Sequence, residues 1–180
     1  MKCSVFIVTS LDGQIARTDG RIDWLDAANA TVPPGEDCGY HAFMRSVDVL
    51  IMGRRTFEMA LGFPEWPYSG KRVVVMSARG IEVPARLRGE VSATAEAPAD
   101  LVKRLSAEGA RHAYVDGGVT IQGFLSAGLI DEVTITLIPV ILGSGAPLFG
   151  PVPADVKLAL VDTKAYPFGY VQVRYSVLGR

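Results

Sequence analysis

Short, uninterrupted apolar runs recur along this chain, separated by segments with a helical pattern, and that rhythm constrains the fold more than any other feature. Val5 to Thr9, Val47 to Met52, Arg72 to Met76 and His112 to Val115 each read as a buried strand. Glu36 to Ser46, Arg55 to Leu61 and Asp100 to Glu108 read as helices, with Gly62 and Gly109 closing two of them. Strands that are apolar throughout must be covered on both faces, and helical crossovers between parallel strands provide that cover. Two weaker strands are expected near Glu82 and Val91. After a helix running from Gly117-Gly118 to Ala127 comes a strand from Glu132 to Ile138. The end reads as a hairpin, Val156 to Lys164 and Tyr170 to Val177, turning at Pro167-Phe168-Gly169. The expected architecture is α/β: a mixed, mainly parallel central sheet with helices on both faces and a C-terminal antiparallel hairpin. One domain spanning residues 1–180 is expected at this length.

Composition excludes several classes. Eighteen basic and nineteen acidic side chains give a net charge of −1, without a basic arm or acidic tail, so neither nucleic acid nor an anionic membrane is an expected partner. The longest apolar stretch, Val133 to Leu142, is interrupted by Thr134, Thr136 and Pro139 and is about half a membrane span. Cys3 and Cys38 have no paired-ligand spacing, and Cys3 beside an apolar strand reads as a buried structural thiol. With no leader-like start, a soluble cytoplasmic protein with free thiols is expected. His41 and His112 are the only histidines, and no His-x-x-x-His, Cys-x-x-Cys, Gly-x-Ser-x-Gly, P-loop or Gly-x-Gly-x-x-Gly pattern occurs. No metal site is expected.

What remains is a pair of strand-end glycine turns that open helices: Met52-Gly53-Arg54-Arg55-Thr56 and Val115-Asp116-Gly117-Gly118-Val119-Thr120. A helix start presents unpaired N–H groups and partial positive charge, which suits a phosphate, and glycine allows close backbone approach. Arg54 and Arg55 can pair with further phosphate oxygens. Either turn alone could be no more than a tight connection; the two together, one with an arginine pair, point to a nucleotide.

With these turns, Ser10-Leu11-Asp12-Gly13-Gln14-Ile15-Ala16, Gly128-Leu129-Ile130-Asp131-Glu132 and Pro139 to Phe149 complete an ordered set of motifs from Lys2 to Val177. The set resembles the dihydrofolate reductase superfamily, and within it the reductase domain of the bifunctional riboflavin-biosynthesis deaminase-reductase. The zinc signature of the deaminase half is missing, so a stand-alone reductase is expected. The resemblance implies NADPH and hydride transfer to a small pterin- or pyrimidine-like heterocycle. The alternatives are the riboflavin-pathway reduction of a ribosylamino-pyrimidine, and a nucleotide-binding module without catalysis. By position, Gly53, Arg54, Arg55 and Thr56 would hold the cofactor phosphates, with Ser77 and Arg79 near the 2′-phosphate. Gly117, Gly118, Val119, Thr120, Ile121 and Gln122 would form a second phosphate wall, the two glycines joined by a cis peptide. Val8, Ile15 and the Leu11-Asp12-Gly13 loop would line the nicotinamide. Asp37 would be the carboxylate facing the substrate and Thr136 its companion hydroxyl, with Trp24 as a substrate cover. Asp37 also fits simple helix capping, Thr136 a β-branched strand residue and Trp24 a packed anchor. The resemblance also implies a homodimer.

Overall fold

A computed structural model describes residues 1–179. Ten strands and five α-helices follow one another as β1 (Lys2–Ser10), β2 (Gln14–Ala16), α1 (Asp23–Asn29), α2 (Tyr40–Ser46), β3 (Val49–Gly53), α3 (Arg54–Leu61), β4 (Arg72–Met76), β5 (Val91–Thr94), α4 (Pro98–Ala107), β6 (His112–Asp116), α5 (Gly118–Ser126), β7 (Glu132–Ile138), β8 (Ala146–Pro147), β9 (Leu158–Ala165) and β10 (Val171–Val177). Eight of the strands form one sheet in the order β5-β4-β3-β6-β1-β7-β10-β9. The first six in that row are parallel; β10 runs antiparallel to β7 and to β9. The expected fold class is therefore the observed one.

Alternation along the central strands divides the core between two faces. Val49 and Ile51 face Leu101 and Leu105 of α4 and Ile121 and Phe124 of α5. Leu50 and Met52 belong to the opposite cluster, with Phe57 and Ala60 of α3 and, partly buried, Phe43 of α2. Phe57 and Phe124 are almost wholly buried, and each contributes roughly 1.5–3 kcal/mol by leaving water. A third cluster joins Trp24 of α1 to Ile138, Tyr166 and Tyr170 at the hairpin end of the sheet. No helix among the described residues is long and apolar enough to cross a membrane.

Two expectations about the elements need correction. The helix expected from Glu36 begins only at Tyr40, because Cys38 (φ 52°) and Gly39 (φ 83°) are both left-handed and turn the chain first. No strand forms near Glu82, where Pro84 lacks the N–H a ladder needs and leads into a single 3₁₀ turn, Ala85–Leu87.

Candidate active site

The parallel strands fix where a ligand can approach. The connections after β3 and β6 leave neighbouring strands towards opposite faces: α3 packs on the side of Leu50 and Met52, α5 on the side of Val49 and Ile51. Such a switch point opens a crevice beyond the carboxyl ends of the strands. Both strands end in the glycine turns singled out in the sequence, and the reason is mutual. A Cβ on Gly117 would collide with Thr56 Oγ1, on α3, and a Cβ on Gly53 would stand 2.9 Å from Thr120 Oγ1, on α5. Each helix start thus places a threonine hydroxyl where the other turn lacks a side chain.

Gly117 has φ 87° and ψ 136°, a conformation that glycine alone adopts without strain. The expected cis peptide is absent: the Gly117–Gly118 bond is trans, and the positive φ of Gly117 makes the turn instead. A Cβ on Gly118 would meet Ile15 Cδ1 at 2.9 Å and the Pro147 carbonyl at 3.3 Å, which brings the Ser10–Ala16 loop against α5. Val119 projects into solvent at the helix start, and Gln122 donates to the Pro147 carbonyl at 3.0 Å. Arg54 and Arg55 are exposed; Arg54 pairs with Glu58 at 2.6 Å, one turn along α3. Ser77 donates to the Gly80 carbonyl, holding the turn that carries the exposed Arg79.

Two sequence motifs prove to be one structure. The Asp12 carboxylate accepts from Ser10 Oγ at 2.6 Å and from the Leu142 and Gly143 amides at 3.1 and 2.8 Å. These bonds hold its pKa below the ordinary value, the serine hydroxyl having the largest effect. The short β2–β8 ladder repeats the connection, so the Ser10–Ala16 and Pro139–Phe149 segments form one rim.

The three residues expected to face a substrate, Asp37, Thr136 and Trp24, are each engaged by neighbouring protein groups. Asp37 uses both oxygens to hold the start of α2, accepting from the Gly39 amide at 2.9 Å and the His41 amide at 2.7 Å. Thr136 lies on β7 opposite Val8 and is buried, but its hydroxyl accepts from Gln172 Nε2 at 2.9 Å. The same Nε2 donates to the Cys38 carbonyl. Thr136 and Val8 therefore share a floor, while Asp37 stands at its edge as a cap. Trp24 is buried on α1 in the third cluster.

The carboxyl at the heart of the crevice is Asp116, opposite Met52 at the end of β6 and missing from the sequence-derived set. As a residue it keeps some surface, yet its carboxyl is enclosed by protein. Oδ1 accepts from the Gly117 amide at 2.8 Å and Oδ2 makes a long contact of 3.4 Å with the Tyr68 hydroxyl. Burial pushes its pKa up, and bonds from Gly117, Tyr68 and Tyr114 offset that only in part. The nearby phenols are raised as well, Tyr40 to about 12, by burial first and by the Asp116 charge second. A carboxyl shifted towards its neutral form beside a glycine turn can hold a proton.

A dihydrofolate reductase-like sheet with paired glycine turns and a buried acid at its switch point defines a reductase-like domain. The chain belongs to the RibD C-terminal domain family, whose model matches residues 2–172. It is 37% identical to the uncharacterized protein YwjB of Bacillus subtilis over 169 residues, 92% of each chain. A solved protein from Shewanella sp. PV-4, provisionally named for riboflavin biosynthesis, is 40% identical and superposes with a TM-score of 0.93 over 99% of this chain and 100% of its own. The diaminohydroxyphosphoribosylaminopyrimidine deaminase/5-amino-6-(5-phosphoribosylamino)uracil reductase of Thermotoga maritima shares the fold at 14% identity, with a TM-score of 0.74 over 98% of this chain and 56% of that one.

Proposed function

We propose that this protein is an NADPH-dependent reductase of a small pterin- or pyrimidine-like heterocycle. The observation that carries the reading is the facing pair of helix starts, Gly53 against Thr120 and Gly117 against Thr56, with Asp116 at their base. The residues fit such a cofactor. Two backbone turns without side chains present amides to a diphosphate, and two exposed arginines stand beside one of them. When bound, NADPH supplies the hydride. The chain's own part is to orient the ring over Val8 and Thr136, to exclude water with the rim that Asp12 fastens, and to give a proton from Asp116. Reduction of a C=N bond consumes one hydride and one proton. A carboxyl whose pKa burial has raised is the group here best suited to deliver the latter.

A narrower reading, the riboflavin-pathway reduction of 5-amino-6-(5-phosphoribosylamino)uracil, is favoured by the family match and by the likeness to the Shewanella protein. Stopped-flow loss of NADPH absorbance with that compound and with dihydrofolate separates the readings. Oxidation with either identifies a reductase and its substrate class. Tight NADPH binding with no oxidation by these or related heterocycles would mark a nucleotide-binding module instead. A homodimer in the cytoplasm fits the same reading. The face of the hairpin that bears Val171, Val173, Tyr175, Leu158 and Leu160 is exposed or half-exposed and is the surface a second copy would cover. Analytical ultracentrifugation with Leu160→Glu tests that pairing.

A further inference from the structure

The Asp116 carboxyl is buried without a counter-ion. Tyr114 faces it from two residues back on β6, Tyr40 from α2 and Tyr68 from the connection between α3 and β4; among the described residues no lysine, arginine or histidine stands with them. The three phenols are not equivalent. Tyr114 spends its hydroxyl proton on the Phe6 carbonyl at 2.8 Å. Tyr40, tilted against the Phe6 ring at 5.9 Å, feels the carboxyl only as a charge. Tyr68 alone has Asp116 as the acceptor for its proton, across 3.4 Å.

The two carboxyl oxygens differ as well. In a neutral carboxyl the carbonyl oxygen is the better acceptor, so the Gly117 amide, at 2.8 Å, makes Oδ1 the carbonyl and leaves the acidic proton on Oδ2. Oδ2 is the oxygen that Tyr68 faces. Its contact is long for a hydroxyl against a charged oxygen, where ~2.5–2.7 Å is usual. The phenol is firmly backed: its ring meets Trp66 edge-on at 5.2 Å, and Trp66 meets Phe57 of α3 edge-on at 5.9 Å, all three buried. The hydroxyl is therefore aimed at one atom and gains most when that atom becomes charged. That matters because an enclosed acid without a cation is costly to ionise. Only a contact that strengthens as the charge develops eases the release of its proton.

We propose that Tyr68 is a positioning residue for proton transfer from Asp116, its hydroxyl closing on Oδ2 as the proton leaves and stabilising the charge left there. The proposal rests on the reading of Asp116 as proton donor in a reductase. In that step the Oδ2–H bond breaks and an N–H bond forms on the nitrogen of the substrate's C=N bond. The carbon gains the hydride, with its electron pair, from NADPH, which is oxidised to NADP⁺. Asp116 keeps one negative charge until solvent returns a proton.

The test combines two readouts on the whole chain. In the first, protein labelled with carbon-13 at the aspartate carboxyls is titrated by NMR, with Asp116→Asn identifying the Asp116 signal. Tyr68→Phe keeps the ring on Trp66 and removes the donor, so Asp116 should hold its proton to higher pH, its ionised fraction on the titration limb falling about tenfold. Tyr68→3-fluorotyrosine, with a stronger donor, should move the titration the other way, and packing alone gives no such reversal. In the second, NADPH oxidation is followed across pH. Tyr68→Phe should lower kcat about three- to tenfold where Asp116 is protonated in both proteins, move the alkaline limb to higher pH, and leave NADPH affinity unchanged. The proposal is overturned if Tyr68→Phe leaves the Asp116 titration in place, if both changes move it in one direction, or if kcat falls equally at every pH. The two ideas fail separately. An unmoved titration in an enzyme that turns over removes Tyr68 alone, whereas the expected titration in a protein that oxidises no NADPH upholds the Tyr68–Asp116 bond and removes the reductase reading.

Discussion

Replacing Gly117 with alanine probes the interlocked helix starts directly. An alanine at φ 87°, ψ 136° costs ~1–3 kcal/mol of backbone strain. Its methyl would also overlap Thr56 Oγ1, and forcing a packed neighbour aside costs ~1–3 kcal/mol more. Thr56→Ala removes that hydroxyl and leaves the residue-56 Cβ 3.4 Å from the new methyl, close to an ordinary contact. In Gly117→Ala/Thr56→Ala the overlap therefore disappears while the backbone strain stays, giving a favourable coupling of ~1–3 kcal/mol. Gly53 supplies the control. Its φ is −81°, so Gly53→Ala carries only the overlap with Thr120 Oγ1, and Thr120→Ala should recover nearly the whole loss. Urea unfolding of the four proteins in each cycle measures these terms, with midpoints compared at unchanged m. If both double variants lose the sum of their single losses to within ~0.5 kcal/mol, the interlock does not exist and the glycines are there for another reason.

Arg54→Ala should reduce the preference for NADPH over NADH by about tenfold, the loss of one charge-assisted contact, and equal affinity in the unmodified protein would remove the assignment. Asp116→Asn should cut turnover by ~10²-fold or more. The raised pKa of Asp116 contributes stability that is present at low pH and lost as pH rises through its folded value, so the asparagine variant should gain on the parent in thermal melts as pH goes from acid to neutral. Asp37→Ala should cost ~1 kcal/mol above pH 3.8, shrinking as pH falls through the lowered pKa of Asp37, while Asp37→Asn preserves the cap and the kinetics. A large fall in turnover on Asp37→Asn would return that carboxylate to the substrate. Phe124→Ala, in the core under α5, should destabilise by ~3–5 kcal/mol in the same urea assay.

The central strands were legible because burial on both faces demands unbroken apolar runs, and the glycine turns because few residues can occupy such positions. The short elements were not. α1, β2 and β8 are too brief to carry a period, and they exist through contacts made elsewhere, such as Trp24 against Tyr170 and Gln14 against Pro147. The start of α2 was misplaced because acids in a first turn look alike whether they lie inside the helix or cap it from outside, and nothing in a cysteine announces a positive φ. Asp116 escaped notice for a related reason. A carboxylate before Gly-Gly reads as a turn residue until Tyr40, Tyr68 and Tyr114, from three separate stretches of chain, close around it.

The position of β6 governs how the molecule can be assembled. It is inserted between β1 and β3, pairing with Lys2–Ser4 on one side and Val49–Met52 on the other, although it is made long after both. Until that insertion Gly117 does not meet Thr56 and Asp116 does not meet Tyr68, so under the proposed function nucleotide affinity would report a long-range folding step and not the state of any local segment. Such non-local pairing is slow. A chain waiting for it exposes the edges of two apolar strands, where association with other chains competes. A nucleotide that binds only the inserted form, at a hundred times its Kd, would favour that form by ~2.7 kcal/mol. Cofactor supply would then act during biogenesis as well as turnover, drawing β6 into place and shortening the time the open sheet is at risk.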